Sequence, residues 1–378
     1  MNKHFRTYII DTAIITPLGI TVQQNFEKIA SKKSSIKNIY DTRFFPNPIL
    51  ASVLDEQMIQ TFQNELNTST RFDTLMLASA NIVLHNHTID FTKKDVLIIL
   101  STTKGNVELL ATKEYDSKAN LSFSAKLLQT FFKNQNDVVV VSNACISGVS
   151  ASIVAERYLQ SPQFNHVVII GCDVVSKFVL TGFNSFKAIA KTACKPFDIH
   201  REGVVLGEAS AAIIYSKAIH SNIEMLSGTI SNDANHISAP SKTGEELSYC
   251  ISNTLSTNNI SPSQIDFISA HGTATNYNDE MEAKAIHHAG LKDTPLFSVK
   301  ANIGHTLGAS GVIELILASE CLMQNIVLPS LGFEEIGVST PIHVNKECLS
   351  KKLQYSLKTT SGFGGCNAAL LLKKVQND

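Results

Sequence analysis

The chain has no C-x-x-C pair, and its seven cysteines are scattered and odd in number. That pattern argues for reduced thiols and against a disulfide frame or a zinc site. Excess charge is missing too: 32 Lys and Arg against 33 Asp and Glu leave a net −1. No broad basic field is therefore offered to nucleic acid or anionic membrane, and an acidic partner would need a local basic patch. No stretch approaches 18 uninterrupted apolar residues, so no membrane span is expected. The first residues, M-N-K-H-F-R-T-Y-I-I-D, hold no long apolar run before a small-residue cleavage site, and a cytoplasmic location is expected. What remains is a well-packed chain, 44% hydrophobic, whose 378 residues suffice for two domains or one large layered one.

The most informative stretch is Val138–Gly148, V-V-V-V-S-N-A-C-I-S-G. Four β-branched residues in a row predict a fully buried strand. After a Ser-Asn-Ala-Cys corner, Ile146–Tyr158 predicts a helix. Cys145 would then sit at a strand end and a helix start, where free N–H groups and the helix dipole favour a nucleophilic thiolate. A small cysteine filling space beside the strand is the other reading.

Apolar strands are expected at Tyr8–Ile15, Val96–Leu100, His166–Cys172 and Ala209–Tyr215, and helices at Val22–Ala30 and Arg71–His85. Ser31–Gln57, with Lys32, Lys33, Lys37 and two prolines, is expected as a surface excursion with solvated lysines. Asn106–Asn136 is polar with helical spacing and would cover the sheet. The loop Lys195–Glu208 either closes over a site or makes a tight crossover. After residue 215 the pattern starts again: strands at Ile223–Ser231, Phe267–Ser269, Phe297–Lys300, Leu357–Thr360 and Ala368–Lys373, with helices at Glu245–Leu255 and Gly311–Met323. Strands alternating with helices indicate α/β with mostly parallel sheets. The reprise suggests two similar halves, 1–215 and 216–378.

Three stretches end strands with polar residues able to reach Cys145: Ala270-His271-Gly272-Thr273-Ala274-Thr275 with Asn278-Asp279, Ser298–Gly311 carrying Lys300 and His305, and Ser361-Gly362-Phe363-Gly364-Gly365-Cys366-Asn367. Catalytic groups of α/β folds gather at carboxyl ends of strands. Neither histidine lies in an H-x-x-x-H or H-E-x-x-H spacing, so no metal site is expected. The glycines of S-G-F-G-G allow backbone N–H groups to face an oxyanion, or simply make a tight turn.

N-A-C-I-S-G, H-G-T-A-T, K-A-N-I-G-H-T-L-G-A-S-G and G-F-G-G-C-N-A resemble the four signature blocks of β-ketoacyl-[acyl carrier protein] synthases, in order and over nearly the whole chain. K-P-F-D-I-H-R-E-G-V-V-L-G-E and S-N-D-A-N-H-I-S-A-P are similar to two further blocks of that family. The Cys-His-His set is similar to that of the elongating enzymes. The resemblance implies a thiolase-like fold, two βαβαβαββ halves in five α-β-α-β-α layers, usually a homodimer. It implies that Cys145 takes an acyl chain from a carrier-protein phosphopantetheine thioester. His271 and His305 would hold the malonyl carbonyl and promote loss of carbon dioxide, and the enolate would attack the acyl-cysteine. Backbone N–H groups of Cys145 and Phe363 would form the oxyanion hole. Lys300 and Glu314 would be a supporting ion pair, Thr273, Thr275 and Gly364 substrate contacts, and Phe363 a gate. No cofactor or metal of its own is implied; acyl carrier protein would be the partner.

Departures from the family pattern bear on substrate. Its usual Gly-x-Gly after the first strand is here Asp11-Thr12-Ala13, the Gly105–Val138 interval is short, and Cys366 stands at a threonine position. They fit a dedicated pathway of the aryl-polyene, flexirubin-like or other type II polyketide kind. Two other functions stay open: a non-catalytic chain-length partner in a heterodimer with a ketosynthase-like paralogue, which typically lacks the cysteine, and a cysteine hydrolase, which needs one histidine and an orienting acid.

Overall fold

The computed structural model describes residues 5–375 apart from 43, 87–88, 112–115 and 234–238. Part of the S-N-D-A-N-H-I-S-A-P block, residues 234–238, therefore lies outside the described residues. The first half runs β1 (Thr7–Ile15), α1 (Val22–Ala30), β2 (Lys37–Ile39), β3 (Ile49–Ser52), α2 (Glu56–Leu66), α3 (Arg71–Asn86), β4 (Val96–Ser101), α4 (Leu121–Phe132), β5 (Val139–Val141), α5 (Ser147–Leu159), β6 (His166–Asp173), α6 (Lys177–Ser185), β7 (Leu206–Gly207) and β8 (Ala209–Ser216). The second runs β9 (Ile223–Asn232), α7 (Glu245–Thr257), β10 (Phe267–Ser269), α8 (Asn276–His288), β11 (Leu296–Phe297), α9 (Lys300–Ile303), α10 (Ser310–Gln324), β12 (Ile326–Val327), β13 (Leu349–Ser350), β14 (Tyr355–Gly362) and β15 (Cys366–Lys374).

Ten strands join in the order β11-β10-β14-β15-β9-β1-β8-β6-β4-β5. The pairing senses repeat. From β1 outward through β8, β6, β4 and β5 they are antiparallel, antiparallel, parallel and parallel. From β9 through β15, β14, β10 and β11 the same sequence of senses recurs. The two sets meet at a short antiparallel contact, Thr7↔Met225 and Tyr8↔Glu224. We propose residues 1–215 and 216–378 as the corresponding domains.

Period-2 alternation separates the layers, because successive strand side chains point to opposite faces. On β6, Val167 and Ile169 face a middle core with α5 and α10, while Val168 and Ile170 face α3. On β15, Leu370 and Leu372 join the middle core, while Ala369 and Leu371 pack under α7 and α8. Five α-β-α-β-α layers result. The middle helices cross at two glycines: a Cβ on Gly148 would stand 2.5 Å from Val312 N, and one on Gly311 2.6 Å from Val149 N. Leu307–Gln324 is apolar enough to span a bilayer by composition, yet 83% of it is buried as this core layer.

Three expectations are corrected, and three helices were not foreseen. The valine strand is confined to Val139–Val141 and is half-buried, because β5 is the terminal strand of the sheet. Ser31–Gln57 is not merely a surface excursion: β3 is buried and pairs with β2 and β7, since Ile49, Ala51 and Val53 complete a core beneath α6. Lys300 opens the short helix α9 and does not lie in a strand. Helices α2, α6 and α8 were not legible in the apolar spacing; α2 buries only Ile59, and α8 buries Asp279 and Glu282 among its core residues.

Candidate active site

Cys145 follows a forced corner. Ala144 adopts φ +44°, left-handed for a residue with a side chain. The Ser147 hydroxyl staples the corner, accepting from Asn143 N at 2.8 Å and donating to Ala144 O at 2.6 Å. α5 begins two residues after the cysteine. Gly362 presses on the corner from β14: a Cβ there would lie 3.1 Å from Cys145 N and 3.0 Å from Cys366 Sγ. The Cys366 thiol fills the space behind, 3.3 Å from Phe363 O.

Packing works against the expected thiolate. Burial pushes the Cys145 thiol up to about 11, against the pull of Lys104, Lys300 and the Phe363 N–H. Cys145 is only 7% exposed, so desolvation opposes the charged form that the helix start would favour.

The histidines face each other edge to face, ring centroids 5.3 Å apart. His271 Nδ1 meets Thr360 Oγ1 at 3.2 Å. Both ring nitrogens of buried His305 have no hydrogen-bond partner among the described residues. Burial, then the positive charge of Lys300, holds both imidazoles well below the ordinary histidine range, so they are neutral near pH 7. Behind them, Glu314 lies 2.7 Å from Lys300 Nζ and 2.7 Å from Lys358 Nζ, all three side chains at most 2% exposed. Lys300 also donates to His271 O at 2.6 Å, and Lys358 to Ser269 O at 3.0 Å. The charged trio thus anchors the strand end that presents His271.

A second carboxylate clamps the same turn. Glu282 accepts from His271 N at 2.7 Å, Gly272 N at 2.8 Å and Thr359 Oγ1 at 2.8 Å. Asp279 accepts from Thr273 N at 2.9 Å and Phe197 N at 2.7 Å, and burial lifts it to about 6. Sequence reasoning missed Lys358 and Glu282. An acidic i, i+3 pair after H-G-T-A-T and a lysine inside the apolar run Y-S-L-K-T-T were the available signals.

A pocket of about 280 Å³ brings together Cys145, His271, His305, Thr273, Thr275 and Phe363. Lys300 and Glu314 stand behind its wall. Gly364 does not line it: it is exposed at the turn tip with φ +85°, its carbonyl accepting from Asn232 Nδ2 at 2.9 Å. The Lys195–Glu208 loop supplies a wall through Glu202, Gly203 and Val204. The Phe363 ring leans on Phe183 and Phe186, centroids 5.3 and 5.5 Å away. Among the described residues, no three of His, Cys, Asp and Glu are placed to hold a metal ion.

The sequence profile of the β-ketoacyl synthase C-terminal domain matches residues 224–334. Over 411 residues the chain is 23% identical to 3-oxoacyl-[acyl-carrier-protein] synthase 2 of Coxiella burnetii, covering 98% of this chain and 99% of that one. The chain is similar to β-ketoacyl-[acyl carrier protein] synthases over nearly its whole length. The chain is also 30% identical to the Rhizobium meliloti 3-oxoacyl-[acyl-carrier-protein] synthase 2 over 253 residues, 62% of this chain and 60% of that one. Its fold matches a solved structure described as the ishigamide ketosynthase/chain length factor, with a TM-score of 0.88, 21% identity and coverage of 99% and 100%. The chain thus has the thiolase-like fold of the solved ketosynthases.

Proposed function

We propose that the protein extends acyl chains by decarboxylative condensation at Cys145. The Cys145 sulfur attacks an acyl thioester, the pantetheine thiol leaves with the proton, and an acyl-cysteine remains. A malonyl thioester then loses carbon dioxide. The released electron pair becomes an enolate whose oxygen meets the imidazole N–H groups of His271 and His305. The mechanism requires the tautomer in which the Thr360 hydroxyl donates to Nδ1 and the His271 proton sits on Nε2, free for that oxygen. The enolate carbon attacks the acyl carbonyl, the N–H groups of Cys145 and Phe363 take the oxyanion, and the Cys145 thiolate leaves. Neutral imidazoles suit the task, since a buried imidazolium beside Lys300 would be costly.

The observation that carries the reading is the pair of neutral, buried histidines converging with Cys145 on one pocket. It also weighs against the hydrolase, because the His271 ring is oriented by a threonine and neither ring is paired with a carboxylate. Retention of the cysteine weighs against a non-catalytic chain-length partner. Substrates would arrive on the phosphopantetheine of acyl carrier protein, in the cytoplasm. A second ketosynthase-like chain, a copy or a paralogue, would cover the half-buried β5 edge.

The test separates the half-reactions. His271→Ala and His305→Ala should each leave acyl transfer to Cys145 largely intact, read by intact mass. Each should slow carbon dioxide release from malonyl thioester roughly 10²–10³-fold. Wild-type decarboxylation by both variants would overturn the mechanism.

A further inference from the structure

β14 carries a charge in its middle. It runs Tyr355-Ser356-Leu357-Lys358-Thr359-Thr360-Ser361-Gly362, and its register sets Lys358 opposite Ser269 of β10. Lys358 is 1% exposed. Burial pulls its ammonium below the ordinary lysine range, and Glu314 opposes that pull. A buried ion pair is weak evidence for stability, because apolar residues of similar volume often hold a fold as well. The lysine therefore calls for an account beyond packing.

Its contacts supply one. Nζ donates to Ser269 O at 3.0 Å and Ala270 O at 3.3 Å, the two carbonyls that precede His271. It also lies 2.7 Å from Glu314 Oε2. Glu314 Oε1 lies 2.7 Å from Lys300 Nζ, which donates to His271 O at 2.6 Å. The successive carbonyls of Ser269, Ala270 and His271 thus hang on one lysine–glutamate–lysine chain. The next residues of β14 grip the same turn from the strand's two faces, since side chains alternate. Thr359 Oγ1 donates to Glu282, whose carboxylate accepts from His271 N and Gly272 N. Thr360 Oγ1 meets His271 Nδ1 at 3.2 Å. The Cys145 corner is fixed separately, by the Ser147 staple at the start of α5.

We propose that Lys358 is a positioning residue that sets where the His271 imidazole stands in the Cys145 pocket, and so governs the carbon dioxide-releasing half of the reaction. This rests on the function proposed above. Lys358→Met removes the ammonium and leaves Lys300 and Glu314 as a simple pair. A misplacement of about 1 Å can cost about 10²-fold, so carbon dioxide release from malonyl thioester should fall at least about tenfold. Acyl transfer to Cys145, read by intact mass, should change little. Because Lys358 acts through His271, adding Lys358→Met to His271→Ala should cost nothing further in carbon dioxide release. Losses that multiply in the double variant would overturn the proposal, as would a parallel fall of both half-reactions with Tm. Ring-nitrogen NMR of labelled histidines, with His271→Ala assigning the signal, gives a readout free of turnover: the His271 ring signal of Lys358→Met should differ from that of wild type. If wild type releases no carbon dioxide from malonyl thioester, the proposed function falls and the ring signal alone judges Lys358; an unmoved signal overturns the positioning role. Where the methionine variant does not fold, Lys358→Gln is read by the same criteria.

Discussion

Glu314→Gln removes the one negative charge between two buried ammonium groups, Lys300 and Lys358, each 2.7 Å from the carboxylate. The variant leaves two like charges facing each other with almost no water to screen them. Breaking a buried ion pair from one side costs about 3–5 kcal/mol. Titration points to the same range. Burial pushes the Glu314 carboxyl up, but the two lysines overcome it and hold it at about 2, against an ordinary 4.5. At about 1.4 kcal/mol per unit that is about 3 kcal/mol. With about 2.1 cal/mol/K of unfolding entropy per residue, a 378-residue chain should lose about 4–6 °C in Tm. The sign of the pH dependence follows from a folded value below the unfolded one: the stabilisation is complete above pH 4.5 and is lost as pH falls toward 2. Thermal unfolding of wild type and variant across pH should show a constant gap above about pH 5 that closes on acidification. Adding Lys358→Met to Glu314→Gln should recover part of the loss, because one uncompensated charge goes with it. A variant Tm indistinguishable from wild type at pH 7, or a gap that widens in acid, would refute the reasoning.

Other outcomes follow from the same geometry. Because burial lifts the Cys145 thiol to about 11, iodoacetamide should label Cys145 slowly at pH 7 and faster with rising pH, while exposed Cys348 reacts readily; peptide mapping with Cys145 fastest at neutral pH would contradict this. Phe363→Ala removes a half-buried ring held by Phe183 and Phe186, so its stability cost should fall below the ~3–5 kcal/mol of a buried phenylalanine. Malonyl decarboxylation without condensation should rise; a parallel fall of all activities with Tm would show packing alone. Gly148→Ala places a Cβ 2.5 Å from Val312 N in the α5–α10 crossing and should cost at least about 1–3 kcal/mol; an unchanged denaturation midpoint would mean the helices separate freely.

Much of the site was legible because its geometry is local. A short strand, a tight corner and a helix within Val139–Leu159 set where Cys145 stands. His271 likewise follows the end of β10 in a short motif of small residues, whereas His305 follows α9 and Gly304. The repeated element order was readable for the same reason, since alternation and helical spacing are properties of neighbouring residues. The pairing of halves, with the β1–β9 contact and the glycine crossing of α5 and α10, required the strands to be placed side by side. Burial belongs to the tertiary structure alone, and with it go the charge states. The same Cys145 corner that suggests a thiolate in isolation is pushed toward the thiol once folding buries it. Lys358 and Glu282 read as ordinary strand and helix residues until folding sets one against Glu314 and the other beneath His271. Sequence alone determined which reactive groups the chain carries and the turns that display them; desolvation and long-range charge pairing, which depend on distances no linear pattern encodes, were decided only by the packed molecule.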